Sequence, residues 1–331
     1  MLQIVEKRKI PFIISGVLFI ASLVLLAVFG LKPGIDFTGG SLIELRFTQE
    51  RPALHEVQET LAGIGFEGSS VQPTGEDGYI LKTRFVTEDE HQQILTAMRD
   101  DFFAPGVAEV DATMGEDGKL QINADPELIE AARGEANLVI EERIEAIGPV
   151  ISSEMSKRSW EAGFVVVIAI IFFVAYAFRR VSQPVSSWKY GITAIIALVH
   201  DVVITMGIFA LLGYFLNVEI DIPFIVALLT ILGYSVNDTI VVFDRIREKL
   251  IKRGRKSFAE TVNMGVNETI TRSVNTSITT LLVLTALFLF GGETIRYFSL
   301  TLIVGVILGT YSSIFLASPL LVVWQRLAGK R

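Results

Sequence analysis

Asp238 and Arg272 are the residues of this sequence whose types and surroundings point most directly to chemistry. Asp238 follows Asn237 within a run of Val, Ile and Leu that begins near residue 220, and Arg272 directly precedes a second apolar run. A charged side chain at the centre of a membrane-spanning helix costs roughly 2.5–3.5 kcal/mol on translocon insertion scales. Charges kept at such a cost usually serve ion or proton movement. The two residues are therefore candidates for a proton path, as an ion pair or as two sides of a hydrated path.

An aspartate beside a movable arginine is a workable proton switch, because the distance of the guanidinium changes how readily the carboxylate binds a proton. The alternatives are a static structural ion pair, or an Asp238 that simply reaches the water interface. Thr276 and Ser277 belong to a dense set of Ser, Thr and Asn in the second run. Such side chains either line a water path or make hydrogen bonds between helices. We include Asn237, Thr276 and Ser277 in the candidate proton path.

A second polar pair, His200 and Asp201, lies within another apolar run. The pair could relay protons, but the sequence favours a packed pair that faces a neighbouring helix.

The chain has no cysteine and three histidines, which excludes thiol nucleophiles and disfavours histidine-rich metal sites. Phosphate-binding loops and nucleophile elbows are not found either. The sequence therefore predicts no cofactor, no metal and no enzyme activity, and any mechanical work would draw on an ion gradient or on a partner ATPase.

Long apolar runs indicate a membrane protein. Hydrophobic residues make up 51% of the 331 residues. About 20 residues at 1.5 Å each cross the hydrocarbon core, so runs of about 18 or more predict membrane helices. Six such runs are found, at residues 10–31, 160–178, 190–214, 220–243, 273–290 and 297–324.

One large polar segment separates the first two runs and predicts a folded α+β domain. We divide the chain into residues 1–32, 33–158 and 159–331. Alternation, helical spacing and turn signals predict a β-α-β-β-α-β ferredoxin-like layout for the middle part. Its predicted elements are strand 41–47, helix 53–64, strand 70–72, strand 79–85, helix 87–103 and strand 143–147. Residues 104–142 are the hardest to assign, and a further helix is expected at 126–142.

A glycine-rich turn at 34–40 opens this domain. Gly34, Asp36, Gly39 and Gly40 are its distinctive residues, and they form either a functional motif or a hinge where the domain leaves the membrane. Gly305, Gly309 and Ser313 recur every four residues in the last run, which predicts close helix packing.

Basic residues predict the topology, because cytoplasmic loops carry an excess of Lys and Arg. With the N-terminus inside, the four inner segments hold three, three, eight and three basic residues, and the two short outer loops hold none and one. Both termini and a basic loop at 244–272 are therefore expected in the cytoplasm, with residues 33–158 outside.

Specific motifs resemble the SecF family, membrane subunits of the bacterial SecDF protein-export complex and relatives of the resistance-nodulation-division transporters. The resemblance covers nearly the whole chain. The motifs are residues 34–40 (GIDFTGG), 147–149 (IGP), 233–248 (GYSVNDTIVVFDRIRE), 272–273 (RS), 276–280 (TSITT) and 309–313 (GTYSS). The long stretch at 104–142 departs from the family pattern.

The resemblance implies a six-helix half of transporter type that pairs with SecD, associates with the SecYEG channel and uses the proton gradient to promote polypeptide export across the inner membrane. YidC and YajC are further candidate partners, and nucleic acid is not one. The family's functional acid and arginine fall on Asp238 and Arg272, and the other membrane carboxylate belongs to SecD.

Two other functions stay open at this point. The chain could be half of a proton-driven exporter of small molecules or lipids, or a passive scaffold that stabilises the channel. The exporter predicts a substrate cleft in the outer domain, and the scaffold predicts tolerance of charge-neutral substitutions at Asp238 and Arg272. An intramembrane hydrolase is the least favoured class.

Overall fold

The computed structural model describes residues 2–48, 51–102, 112–114, 120–122, 139–177, 187–251 and 257–328. It divides the chain into two compact units, one formed by Met1–Gly34 with Lys157–Arg331 and the other by Ile35–Ser156. The first unit is helical, and the second combines a β-sheet with helices.

Helices account for most of the described residues. In chain order they are α1 (Lys9–Val28), α2 (Ile35–Thr38), α3 (Leu54–Gly63), α4 (Glu88–Phe102), α5 (Pro149–Ala177), α6 (Ser187–Leu216), α7 (Ile222–Ile251), α8 (Phe258–Phe290), α9 (Glu293–Ser312), a π-helical turn (Ser313–Ala317) and α10 (Ser318–Ala328).

Five stretches among the described residues are long and apolar enough to cross a membrane. They are Lys9–Val28, Trp188–Leu216, Ile222–Ile251, Phe258–Phe290 and Ile295–Leu327, the last of which continues through α9, the π-helical turn and α10. Five of the six predicted runs coincide with these helices. The run predicted at 160–178 lies in α5 up to Ala177, and residue 178 is outside the described residues.

The segment predicted as a basic loop at 244–272 is largely helical, because α7 continues to Ile251 and α8 begins at Phe258. Glu268 of α8 holds these ends together through ion pairs to Arg245 (2.5 Å) and Lys249 (2.7 Å) of α7. The helix start predicted near Ser257 is confirmed. The Ser257 hydroxyl caps α8 by accepting from the Glu260 amide at 3.2 Å, and the Glu260 carboxylate accepts from the Ser257 amide at 2.9 Å.

Helices α7 and α9 approach each other closely at two glycines, as the four-residue spacing predicts. A Cβ on Gly305 would overlap the side chain of Ile231, and one on Gly309 would lie 2.9 Å from the Cβ of Ser235. Ser313, the third residue of the predicted ridge, is fully buried. The absence of side chains at these glycines is what brings the polar groups of α7 within reach of α9.

The second unit contains a four-stranded antiparallel sheet in the order β2-β3-β1-β6. Its strands are β1 (Gly40–Phe47), β2 (Ser70–Thr74), β3 (Gly78–Thr83) and β6 (Val139–Ile147), and a separate two-stranded hairpin is formed by β4 (Ala112–Met114) and β5 (Leu120–Ile122). The predicted elements are present with shifted ends, in the order β1-α3-β2-β3-α4-β6. Apolar residues of α3 and α4 pack with the strands in one core, which includes Ile43, Leu45, Leu61, Leu81 and Met98.

The helix predicted at 126–142 is wrong in its last part. Residues 139–142 belong to β6, where Val139 pairs with Phe47 and Ile140 with Arg46 of β1. Pairing with a distant strand outweighs local helical spacing here, since it buries Val139 in the sheet core. Residues 126–138 lie outside the described residues.

The glycine turn is tightly built at its end. Gly39 and Gly40 have φ angles of 73° and 138°, a region that side chains disfavour. A Cβ on Gly40 would also lie 2.7 Å from the carbonyl oxygen of Thr83, where β1 pairs with β3. The turn that the sequence predicts thus begins as the short helix α2 and ends in two residues that require glycine.

Replacing Gly40 by alanine is expected to destabilise the sheet by about 2–3 kcal/mol, because backbone strain adds to the contact with Thr83. Gly65→Ala is the matched control, since Gly65 has a φ of 87° but nothing within 4 Å of the position that an added Cβ would take. The control should cost only the left-handed strain of about 1 kcal/mol. Hydrogen exchange of the β1 and β3 amides in the full-length chain measures the difference. Equal effects in the two variants would show that the approach to Thr83 is unimportant.

Candidate functional site

Asp238 lies on α7 at its contact with α8. Its Oδ1 accepts a hydrogen bond of 2.6 Å from the Ser273 hydroxyl of α8. Its Oδ2 is buried and accepts no hydrogen bond of normal geometry from the described residues, although the Ser313 hydroxyl is close enough to interact with the carboxylate. A carboxylate with one oxygen held and the other open, inside an apolar helix pair, has a free position at which a proton can bind.

Arg272 does not pair with Asp238, contrary to one of the two predicted arrangements. Arg272 is exposed, whereas Ser273, the next residue of α8, is buried and makes the contact to Asp238. Successive residues of an α-helix differ by about 100° in direction, so Arg272 lies to the side of the contact, where its charge still acts on Asp238 without an ion pair. Arg272 is next to the contact along α8 but on another face, so the hydrated path between the two residues is the remaining prediction.

The other predicted proton-path residues divide between exposed and buried positions. Asn237 of α7 and Thr276 of α8 are exposed. Ser277 is buried and lies 3.0 Å from the Tyr234 hydroxyl of α7 and 2.5 Å from the Thr310 hydroxyl of α9. Ser277 therefore joins three helices, while Asn237, Thr276 and Arg272 present polar groups outward.

His200 and Asp201 form a buried pair on α6. The Nδ1 of His200 lies 2.9 Å from Oδ1 of Asp201. The Oδ2 of Asp201 accepts from the hydroxyls of Ser235 on α7 and Ser312 on α9, both at 2.7 Å. Asp201 thus connects three helices from the interior of the bundle, which agrees with the packed pair that the sequence favours.

The predicted glycine-motif residues are distant in sequence from Asp201 and Asp238. Gly34 belongs to the first unit, where its amide donates to the Ile220 carbonyl before α7 at 2.8 Å. Asp36, Gly39 and Gly40 belong to the second unit, Asp36 in α2 and the glycines at the start of β1. Across the described ranges, no group of three or more His, Asp and Glu side chains could hold a metal ion.

Two family models match this sequence. The model described as "Protein export membrane protein SecD/SecF, C-terminal" matches residues 130–327, and "SecD/SecF GG Motif" matches residues 24–50. A protein translocase subunit SecF from Thermobaculum terrenum is 39% identical over 329 residues, which cover 98% of this chain and 94% of the relative. The chain belongs to the SecF family. The SecF of Haemophilus influenzae is 32% identical, over 95% of this chain and 83% of its own length.

Solved SecDF structures have the same fold. A crystal structure of SecDF from Thermus thermophilus, a translocon-associated membrane protein by its description, matches with a TM-score of 0.75 and 29% identity over 97% of this chain. SecDF in its super-membrane-facing form matches with a TM-score of 0.57 and 28% identity over 99% of this chain. The chain spans only 38% and 39% of those SecDF chains. This SecF-family chain is accordingly a multi-pass membrane protein.

Sequence reasoning missed the serines that hold the two carboxylates of this SecF-family chain. Ser273 donates to Asp238, and Ser235 and Ser312 donate to Asp201. Each lies in a motif of small polar residues within an apolar run, a signal that predicts interhelical hydrogen bonds but not their acceptors.

If Asp238 binds the transported proton, replacing Ser273 by alanine should lower proton transport about tenfold without unfolding the chain. A hydrogen bond to a charged group contributes about 1.5–3 kcal/mol, and about 1.4 kcal/mol corresponds to a factor of ten. Proton flux into vesicles that contain this chain and SecD is the measurement. Thr280→Ala is the control, because among the described residues the Thr280 hydroxyl bonds within its own helix, to the Thr276 carbonyl at 3.0 Å. Equal flux in both variants would show that Ser273 does not position Asp238.

Proposed function

We propose that this chain acts as the SecF subunit of the bacterial protein translocase and, with SecD, uses the proton gradient to promote polypeptide export. The observation that carries the proposal is the Asp238 carboxylate, which is held by Ser273 on one oxygen and is open on the other. A titratable group at this place in a membrane helix is expected to serve ion or proton movement. The chain is a transport subunit in this proposal and has no enzyme activity of its own.

The outward polar face of α7 and α8 supports SecD as the partner. Asn237, Arg272 and Thr276 are exposed on helices that are otherwise apolar enough to span a membrane. Such side chains are costly against lipid and need a polar neighbour or water. Because the chain spans 38% of a SecDF chain, the missing neighbour belongs, in this proposal, to the SecD part. Arg272 would meet the membrane carboxylate of SecD there, and a hydrated path would run between the partners.

We propose six membrane spans, with α5 as the second, both termini in the cytoplasm and residues 33–158 outside the inner membrane. The excess of basic residues in the inner segments supports this orientation. The element order β1-α3-β2-β3-α4-β6 and the strand order β2-β3-β1-β6 support a ferredoxin-like outer domain. The further proposed partners are SecYEG, the translocating polypeptide, YidC and YajC.

Export into vesicles that contain SecYEG, SecD and this chain tests the proposal. An imposed proton gradient should accelerate completion of export only when this chain is present, and a protonophore should remove the acceleration. An acceleration that survives the protonophore would favour the passive scaffold. Export of a small molecule or lipid from vesicles without SecYEG would favour the exporter half.

A further inference from the structure

The imidazole of His200 has one nitrogen engaged and one open. Asp201 is fully buried, and its carboxylate lies 2.9 Å from Nδ1 of His200 and accepts from two serine hydroxyls at 2.7 Å. An ionised carboxylate accepts on both oxygens, so this arrangement fits an ionised Asp201 and a proton on Nδ1. Nε2 is buried and has no hydrogen-bond partner among the described residues. With the proton on Nδ1, the Nε2 lone pair is an unfilled acceptor.

The surroundings of His200 allow a positive charge only beside Asp201. His200 lines a groove of about 500 Å³ whose other walls are almost entirely apolar, including Phe12 and Phe19 of α1. A lone charge there would be costly, whereas an imidazolium beside a carboxylate is a pair. Among the described residues, the titratable groups that face the imidazole are Asp201 on its own helix and Tyr311 of α9, whose ring centre lies 6.5 Å away. Helices α1 and α10 and the π-helical turn contribute uncharged groove residues, and α7 contributes Ser235.

We propose that His200 and Asp201 form a second proton-binding site in this chain, in which Nε2 of His200 binds the proton, Asp201 balances its charge, and occupancy is coupled to Asp238. Protonation forms an N–H bond at Nε2 and converts the neutral imidazole to an imidazolium. Release of the proton restores the neutral ring with its Nδ1 proton, still held by Asp201. The proposal rests on the proposed function, because it assigns a second site to the same proton movement.

Two consecutive serines give the coupling a structural basis. Ser312 donates to Asp201, and Ser313 lies 2.8 Å from the hydroxyl of Thr239, the neighbour of Asp238. Ser235, the other donor to Asp201, lies on α7 three residues before Asp238. Ser313 also begins the π-helical turn, an irregularity often found at functional sites. A change in the charge of the His200–Asp201 pair therefore acts on the junction of α9 and the π-helical turn, which also contacts the Asp238 region.

Nitrogen-15 NMR of the imidazoles tests the site directly, in the full-length chain assembled with SecD in lipid nanodiscs. The chain has three histidines, and His200→Asn identifies the His200 signals by their loss. Lowering the pH over the range in which the assembly is stable should convert His200 from the Nδ1-protonated neutral form to imidazolium. Asp238→Asn should change the proton affinity of His200 about fivefold or more, the lower range of typical couplings between sites. A His200 that keeps one form over this range, or titrates without any response to Asp238→Asn, would overturn the proposal.

A pair of serine variants tests the connection. Ser312→Ala should reduce the coupling between His200 and Asp238. Ser299→Ala is the matched control, because Ser299 is a buried serine of the same helix whose hydroxyl has no partner among the described residues. Equal coupling in both variants would overturn the role of Ser312.

Proton flux in the same assembly separates this inference from the proposed function. His200→Asn keeps a side-chain N–H for Asp201 but cannot titrate, and flux should fall about tenfold if the site is used. Full flux in His200→Asn together with no flux in Asp238→Asn would overturn the second site and leave the proposed function standing. Full flux in both variants would overturn the proposed function itself.

Discussion

Replacing Asp238 by asparagine is expected to reduce proton flux and proton-driven export to the level of vesicles that lack the chain. Asparagine has nearly the same shape, and its amide oxygen can still accept from Ser273, which lies 2.6 Å from Oδ1 in the native chain. It cannot bind or release a proton at neutral pH. The variant should therefore fold, enter the membrane and bind SecD, yet lose the coupled step. Flux under an imposed pH gradient, measured with a pH-sensitive dye inside the vesicles, gives the result.

Asp244→Asn is the matched control for this experiment. Asp244 lies six residues later on the same helix, is 66% exposed and forms a 3.4 Å ion pair with Arg247. Surface ion pairs of this kind contribute about 0–1 kcal/mol, so the control should retain its flux. If Asp238→Asn also retained full flux, Asp238 would return to a structural role, and the passive scaffold would become the leading hypothesis.

The positions of the membrane helices could be predicted because they depend on local composition. An apolar run of sufficient length gives a helix wherever it occurs, since no water is available in the bilayer core to satisfy an open backbone. The start of α8 was likewise predictable from the spacing of Ser257 and Glu260, because a capping box joins residues three apart. Strands β1, β2 and β3 followed from alternation and turn signals, whereas β4 and β5 were not predicted and β6 begins four residues before the predicted strand.

The contacts of the charged residues could not be predicted to the same extent. Sequence spacing gives the depth of a residue in a helix but not the rotation of that helix toward its neighbour. For this reason the sequence left open whether Arg272 pairs with Asp238 or only flanks a hydrated path, and the structure places Ser273 at the contact. The donors to Asp201 come from α7 and α9, and their meeting depends on how three helices pack. The error at residues 139–142 has a related cause, since β6 is held by pairing with the distant strand β1.

Gly309 lies where these three helices meet, and Gly309→Ala is expected to destabilise the bundle. The added Cβ would lie 2.9 Å from the Cβ of Ser235 and 3.3 Å from its Cα, so helices α7 and α9 would have to separate. Overpacking of this kind costs about 1–3 kcal/mol. Separation would also lengthen the bonds that Ser235 and Ser312 donate to one oxygen of Asp201, both 2.7 Å in the native chain. A fall of about 5 °C in the thermal midpoint of the detergent-solubilised protein is the expected size.

Gly233→Ala is a control that should change the stability of the bundle in the opposite direction. Gly233 lies on α7, two residues before Ser235, and nothing lies within 4 Å of the position of an added Cβ. Alanine favours the helix over glycine by about 1 kcal/mol, so this variant should be as stable as the native chain or more stable. Opposite shifts of the thermal midpoint would establish that close approach of α7 and α9, and not helix propensity, sets the effect at Gly309. If Gly309→Ala were stabilising as well, α7 and α9 would have space for the added Cβ. Ser235 and Ser312 would then reach Asp201 without a glycine at position 309.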